Sequence, residues 1–144
     1  MVAYADTSFL VATYIIQPES SHALAYMQKE TDPLPFTPFH RLELRNAIRL
    51  SVFRKEISAD TCRQAFREVE NDLADGILVH QPIAWTDAFQ RAEELGASYS
   101  ETSRIRSGDI FLVACALQYR TEVFLTFDIK QRELARMAGL KTIF

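Results

Sequence analysis

Residues 122–140, EVFLTFDIKQRELARMAGL, join a short apolar run directly to a charged segment with helical spacing. The run EVFLTF is rich in β-branched and aromatic residues, which predicts a buried strand over residues 122–127. The segment that begins at Asp128 has the periodicity of an amphipathic helix. Residues 2–15, VAYADTSFLVATYI, repeat this order, with a strand over residues 2–5, then Asp6, then a helix. Each of these two strands therefore ends at an aspartate that precedes a helix.

The remaining sequence continues the alternation of short apolar runs and longer helical patterns. The patterns predict strands over about 34–37, 76–80 and 141–144, and helices over 19–30, 39–54, 58–75, 84–98 and 107–120. Such alternation is typical of an α/β domain with a mostly parallel sheet and right-handed crossovers. We expect one domain over residues 1–144. Because ligands of open α/β sheets bind beyond the carboxyl ends of the strands, Asp6 and Asp128 are expected at that edge.

Composition excludes several classes of protein. The net charge of −3 gives no general attraction to polyanions, so a nucleic-acid partner requires a local basic patch. No run approaches the 18–20 or so apolar residues of a membrane span, and Asp6 interrupts the apolar N-terminus, which makes a poor signal peptide. Cys62 and Cys115 have no ligand-like spacing, which indicates two buried free thiols. We therefore expect a cytoplasmic protein that does not contact a membrane.

Two further acids accompany the strand-end aspartates. Asp109 opens the apolar helix SGDIFLVACALQYR, and Glu43 lies near the start of the helix that contains RLELRNAIRL. Asp6, Asp109 and Asp128 each have an alternative role as helix caps, because aspartate favours the positive end of a helix.

Capping does not explain Glu43. At about 100° per residue it shares a face with Ala47 and Leu50, opposite Arg41, Arg45 and Arg49. A buried carboxylate is costly unless it is paired or metal-bound, and the alternative to a shared acidic site is an ion pair with Arg104 or Arg106.

If four carboxylates converge, a divalent cation relieves their repulsion. All-oxygen ligands suit Mg²⁺ or Mn²⁺, and a metal-bound water is a ready nucleophile for a phosphodiester. We expect Glu43 and Asp109 to hold the cation together with Asp6, and Asp128 to assist through water. The hydroxyls of Thr7, Ser8 and Thr126 adjoin these acids and can orient them, although ordinary capping and turn bonding explains them equally well.

Four stretches together resemble the PIN domain family, and within it the VapC-like toxins of toxin–antitoxin pairs. The stretches are YADTSFLVATY, RLELRNAIRL, RSGDIFLVACAL and FLTFDIKQRELARMAGL, in the family's order. The resemblance implies a three-layer α/β/α sandwich around a parallel sheet of about five strands. It also implies an Mg²⁺- or Mn²⁺-dependent ribonuclease, often a homodimer, that a small antitoxin holds inactive. Asp6, Glu43, Asp109 and Asp128 match the family's acidic positions, and Ser8 and Thr126 match its supporting hydroxyls.

Candidate RNA contacts follow from sequence proximity to the acids. Arg104, Arg106, Lys130 and Arg132 lie near Asp109 or Asp128 and can contact phosphates, although a solvated charged face is the alternative. A second hypothesis concerns the arginine face of the third helix. Arg41, Arg45 and Arg49 can bind an acidic partner peptide or a second subunit, together with Ile48 and Val52, which we expect to be exposed.

Three other functions share some of these features with a ribonuclease. A receiver-like phosphoacceptor needs adjacent acids after the first strand, yet Asp6 stands alone and GILVHQ ends without an acid. A phosphohydrolase with an aspartate nucleophile needs a second aspartate at position 8, which is Ser8. A catalytically silent PIN-like module that binds RNA or protein remains open. The sequence therefore predicts a metal-dependent endoribonuclease, with that module as the alternative.

Overall fold

The computed structural model of the protein describes residues 2–144, with five strands and seven helices among them. The elements are β1 (Ala3–Ala5), α1 (Thr7–Tyr14), α2 (Ser20–Lys29), β2 (Leu34–Phe36), α3 (Pro38–Phe53), α4 (Ala59–Ala74), β3 (Leu78–His80), α5 (Trp85–Ser103), α6 (Ser107–Gln118), β4 (Val123–Leu125), α7 (Ile129–Met137) and β5 (Lys141–Ile143). The chain forms two compact units. The first unit comprises the residues up to Asp6 together with Pro82–Phe144, and the second unit comprises Thr7–Gln81.

The first unit contains a three-stranded parallel sheet in the order β1-β4-β5. The register places Ala5 opposite Leu125 and Leu125 opposite Ile143. Helix α6 belongs to this unit, and every residue from Ile110 to Ala116 is buried. A helix that is apolar on all sides is expected inside a protein, so the sequence-based prediction of a buried helix is confirmed.

The second unit contains the parallel pair of β2 and β3. Main-chain groups of Leu34 and Phe36 face β3, since the Leu34 N–H donates to the Ile77 carbonyl at 3.0 Å and the Phe36 carbonyl accepts from Gln81 at 3.1 Å. Successive residues of a strand point their main-chain groups in opposite directions, so Pro35 faces away from β3. Proline has no N–H, and the outer edge of β2 therefore lacks the donor that a further ladder needs.

The predicted fold class is confirmed as α/β with parallel strands. All five predicted strands are present, but their hydrogen bonds divide them into sheets of three and two strands.

No helix within residues 2–144 is both long enough and apolar enough to cross a membrane. Cys62 and Cys115 are buried free thiols, as the sequence predicted.

Helix α3 begins with a capping box. The Thr37 hydroxyl accepts the His40 N–H, while His40 Nδ1 accepts the Thr37 N–H at 3.0 Å, and Pro38 occupies the first turn. The buried residues of α3 are His40, Leu44, Ile48 and Ser51. The expectation that Ile48 and Val52 are exposed is therefore wrong, because Ile48 is 0% exposed and Val52 is half-buried.

The face of α3 that the sequence predicts to be buried is partly exposed to solvent. Glu43 is only half-buried, and Leu50 on the same face is 43% exposed. Arg41, Arg45 and Arg49 lie on the opposite side of the buried residues of α3, where they contact α4. Arg41 donates to Glu70 at 2.5 Å, and the guanidinium groups of Arg45 and Arg49 lie over the Phe66 ring, 4.5 and 4.9 Å from its centroid.

Candidate active site

Asp6 and Thr126 meet at the carboxyl ends of two neighbouring strands. Since Ala5 pairs with Leu125, the next residue of each strand lies at the same edge of the sheet, and the Asp6 N–H donates to the Leu125 carbonyl at 3.0 Å. The Thr126 hydroxyl donates to Asp6 Oδ2 at 2.5 Å. Asp6 is 4% exposed and Thr126 is 0% exposed, so this is a buried, charge-assisted hydrogen bond.

Thr126 also connects this strand edge to Asp128. The Thr126 hydroxyl oxygen accepts the Asp128 N–H at 3.0 Å. Asp128 is the N-cap of α7, and its Oδ1 accepts the Gln131 N–H at 2.9 Å. The capping role that we considered for Asp128 is therefore real, but it occupies one carboxylate oxygen of an exposed side chain.

Asp109 lies in the first turn of α6, where the N-cap position belongs to Arg106. Asp109 and Asp128 line one cleft of about 360 Å³. Burial raises the pKa of the Asp109 carboxyl, the negative charge of Asp128 raises this pKa further, and Arg106 lowers it by a smaller amount. Two carboxylates thus repel each other in this cleft, at the positive end of α6.

The same cleft contains three basic side chains. Arg104, Arg106 and Lys130 line it together with Ile105 and Gln131. With two carboxylates and three cations, the cleft has a local excess of positive charge although the whole chain is negative. Arg132, the fourth predicted RNA contact, is not among the lining residues. Its Nε is buried and finds no hydrogen-bond partner among residues 2–144.

Three of the predicted site residues belong to the second unit. Thr7 and Ser8 are half-buried at the start of α1, and Glu43 is half-buried on α3. Their part in the site stays a prediction.

Conversely, the sequence-based search overlooked Gln131, which lines the cleft and is 2% exposed. The available signal was its helical spacing with Leu134 and Ala135, both of which are buried.

The donor atoms in the cleft suit a hard divalent cation. Within residues 2–144, no group of three or more His, Cys, Asp or Glu side chains is close enough to hold one ion. Mg²⁺ usually takes one or two carboxylates and keeps several waters, so a pair such as Asp109 and Asp128 is a sufficient donor set. Mutual repulsion in the cleft adds a reason for such a pair to accept a cation.

Comparisons with known proteins found one matching sequence family and several solved structures with a similar fold. The sequence profile of the PIN domain matches residues 3–137. Among solved structures, VapC20 of Mycobacterium tuberculosis, described as a sarcin-ricin loop cleaving toxin, has a TM-score of 0.71 at 14% identity and covers 96% of this chain and 95% of its own.

Two further solved structures resemble the whole chain. FitAcB of Neisseria gonorrhoeae has a TM-score of 0.68 at 17% identity, with 99% of this chain and 96% of its own covered. VapBC2 of Rickettsia felis, bound to a DNA fragment from its promoter, has a TM-score of 0.67 at 14% identity, with coverages of 99% and 98%. No curated protein sequence matches this chain. At these identities the structures establish a shared fold.

Proposed function

The chain belongs to the PIN domain family, and from this premise we propose that it is an Mg²⁺- or Mn²⁺-dependent endoribonuclease. The observation that carries the proposal is the cleft in which Asp109 and Asp128 face three basic side chains. Carboxylates that repel each other favour a bound cation, while arginine and lysine favour phosphate. One cleft therefore offers both of the charges that phosphodiester hydrolysis requires.

The acidic residues divide between holding the cation and supporting the carboxylates that hold it. Asp109 and Asp128 face the cleft and would hold the ion, directly or through its waters. Asp6 and Glu43 are proposed as further carboxylates of this site, and Thr126 fixes the orientation of Asp6 through the 2.5 Å hydrogen bond. A bound divalent cation would lower the pKa of water and offset the negative charge that develops on the phosphate.

The basic residues would position the RNA backbone. Arg104, Arg106 and Lys130 line the cleft and contact phosphate oxygens in this proposal, without reading the base sequence. In-line attack of water at phosphorus breaks the bond to the 3′ oxygen. The products are a 5′-phosphate and a 3′-hydroxyl.

Cleavage of a labelled RNA in Mn²⁺ tests the proposal. We expect Asp109→Asn to lower the rate by at least the roughly 10–100-fold that loss of an outer-sphere partner costs a metal site. Asp87→Asn is the matched control, because Asp87 lies in the first turn of α5 and is exposed. Wild-type protein and the control should cleave equally and lose activity in EDTA.

Two outcomes would contradict the proposal. Cleavage that persists in Asp109→Asn, or in EDTA, would mean that the acidic cleft is not the catalytic site. Absence of cleavage with every RNA tested would favour the alternative, a catalytically silent PIN-like module that binds RNA or protein.

We further propose that the nuclease is the toxin of a toxin–antitoxin pair and forms a homodimer. The likeness to VapC20, described as a toxin, and to FitAcB and VapBC2 supports the toxin assignment. The homodimer is proposed from the resemblance to the VapC-like family alone. Co-expression with the product of the adjacent reading frame should give a stable complex with reduced nuclease activity. Light scattering should show the toxin alone at twice the chain mass of 16.5 kDa. A monomeric protein that does not bind the product of the adjacent reading frame would refute this assignment.

A further inference from the structure

Gln131 connects the segments that carry the two cleft acids. Its main-chain N–H donates to Asp128 Oδ1 at 2.9 Å, and its side-chain Nε2 donates to the Asp109 carbonyl oxygen at 3.0 Å. Gln131 is 2% exposed and lies in the first turn of α7. One residue thus holds the carboxylate of Asp128 and the main chain of Asp109.

We infer that Gln131 is a positioning residue that sets the separation of Asp109 and Asp128. The inference rests on the proposed metal-dependent function, which makes that separation important for binding the cation. Asp109 lies in the first turn of α6, and Arg106 at the N-cap position makes no side-chain capping hydrogen bond. The polar tie between this turn and α7 is the bond from the Gln131 amide to the Asp109 carbonyl.

A purely structural role explains the amide poorly. Gln131 Oε1 is buried and has no hydrogen-bond partner within residues 2–144, which is unfavourable for folding. The other buried residues of α7, Leu134 and Ala135, are apolar, so burial on this helix does not by itself call for an amide. The glutamine thus combines a feature that is unfavourable for stability with a bond that fixes one acid relative to the other, as functional sites often do.

The test compares Mn²⁺ binding by calorimetry in wild-type protein and Gln131→Met. Methionine keeps the length of the side chain and removes both the bond to Asp109 and the unsatisfied oxygen. We expect the Kd for Mn²⁺ to rise roughly 10–100-fold, as when other outer-sphere ligand supports are lost. The melting temperature should change by no more than about 4 °C, and saturating Mn²⁺ should restore most of the RNA cleavage rate.

Gln118→Met is the matched control, because Gln118 is the exposed last residue of α6. It should bind Mn²⁺ with the wild-type Kd. Gln131→Asn is the second variant, since it keeps an amide but is one methylene too short to reach the Asp109 carbonyl. We expect it to weaken Mn²⁺ binding as Gln131→Met does.

Each remaining result has a defined meaning. Wild-type affinity in either folded Gln131 variant, or equal weakening in Gln118→Met, overturns the positioning role while leaving the proposed function intact. Failure of both Gln131 variants to fold also overturns it, because the residue would then be chiefly structural. If wild-type protein itself binds no Mn²⁺, the proposed function fails, and the inference fails with it.

Discussion

Replacing Thr126 with valine removes a hydroxyl without opening a cavity. Asp6 is 4% exposed, so water cannot replace the donor that it loses, and a hydrogen bond to a charged group contributes about 1.5–3 kcal/mol. The Asp128 N–H also loses its acceptor, but Asp128 is exposed and water can substitute, which adds less than about 1 kcal/mol. We therefore expect Thr126→Val to lower the free energy of unfolding by about 1.5–4 kcal/mol.

Urea unfolding followed by circular dichroism, in metal-free buffer, measures this change. Thr121→Val is the control, because Thr121 is 8% exposed and its hydroxyl has no hydrogen-bond partner within residues 2–144. Removing an unsatisfied hydroxyl should leave stability unchanged or raise it. The two variants make the same chemical exchange, and we expect Thr126→Val to be less stable to unfolding than Thr121→Val by at least about 1.5 kcal/mol. Equal effects would refute the claim that the Thr126 hydroxyl stabilises the Asp6 carboxylate.

Three further predictions concern single side chains. Asp109→Asn should stabilise the metal-free protein at pH 7, because burial and Asp128 raise the pKa of Asp109 and penalise its ionised form in the folded state. In urea unfolding at several pH values, the gain in the free energy of unfolding should vanish below the ordinary carboxyl pKa of about 4 and grow as the pH rises from there to the raised pKa of Asp109. A gain that is independent of pH would contradict this prediction. Glu70→Gln, which weakens the exposed pair with Arg41, should cost less than about 1 kcal/mol in urea unfolding, and a loss above about 2 kcal/mol would be inconsistent with this. Burial raises the pKa of Cys115 to about 11, so mass spectrometry at pH 7.5 should find it alkylated by iodoacetamide only after unfolding, and rapid native labelling would argue otherwise.

The strand-end acids were predictable because their signal is local. A short apolar run followed by an aspartate and a helical pattern is visible within a dozen residues, and it correctly placed Asp6 after β1 and Asp128 before α7. The extent of α5 was harder to predict. The helix continues to Ser103, five residues beyond its predicted end, through a polar segment with little helical signal. Tertiary packing decides such boundaries, and it is not visible in local propensity.

The face of α3 shows why one polar residue is a poor guide to a helix's orientation. We inferred the core side from Glu43, Ala47 and Leu50, whereas the buried stripe passes through Leu44 and Ile48. The two stripes lie within about 100° of each other on the helix, and both contain apolar residues. Periodicity alone cannot choose between adjacent stripes, because the choice depends on which elements of the second unit pack against the helix.

The sequence pointed to Thr126 as a hydroxyl that orients the acids, but its partner across the sheet and the whole role of Gln131 could not be predicted, because these bonds connect segments that are distant in sequence. Thr126 reaches Asp6 across 120 positions, and Gln131 reaches the Asp109 carbonyl across 22. Each contact depends on a strand register or a helix orientation that residue types do not specify. Asp109 and Asp128 repel each other in the cleft, so something must hold them there against their mutual charge. In the metal-free protein the Thr126 hydroxyl accepts the Asp128 N–H, while Gln131 donates to the Asp128 carboxylate and to the Asp109 carbonyl. We therefore expect substitutions at these two neutral residues to alter cation binding without removing a single charge.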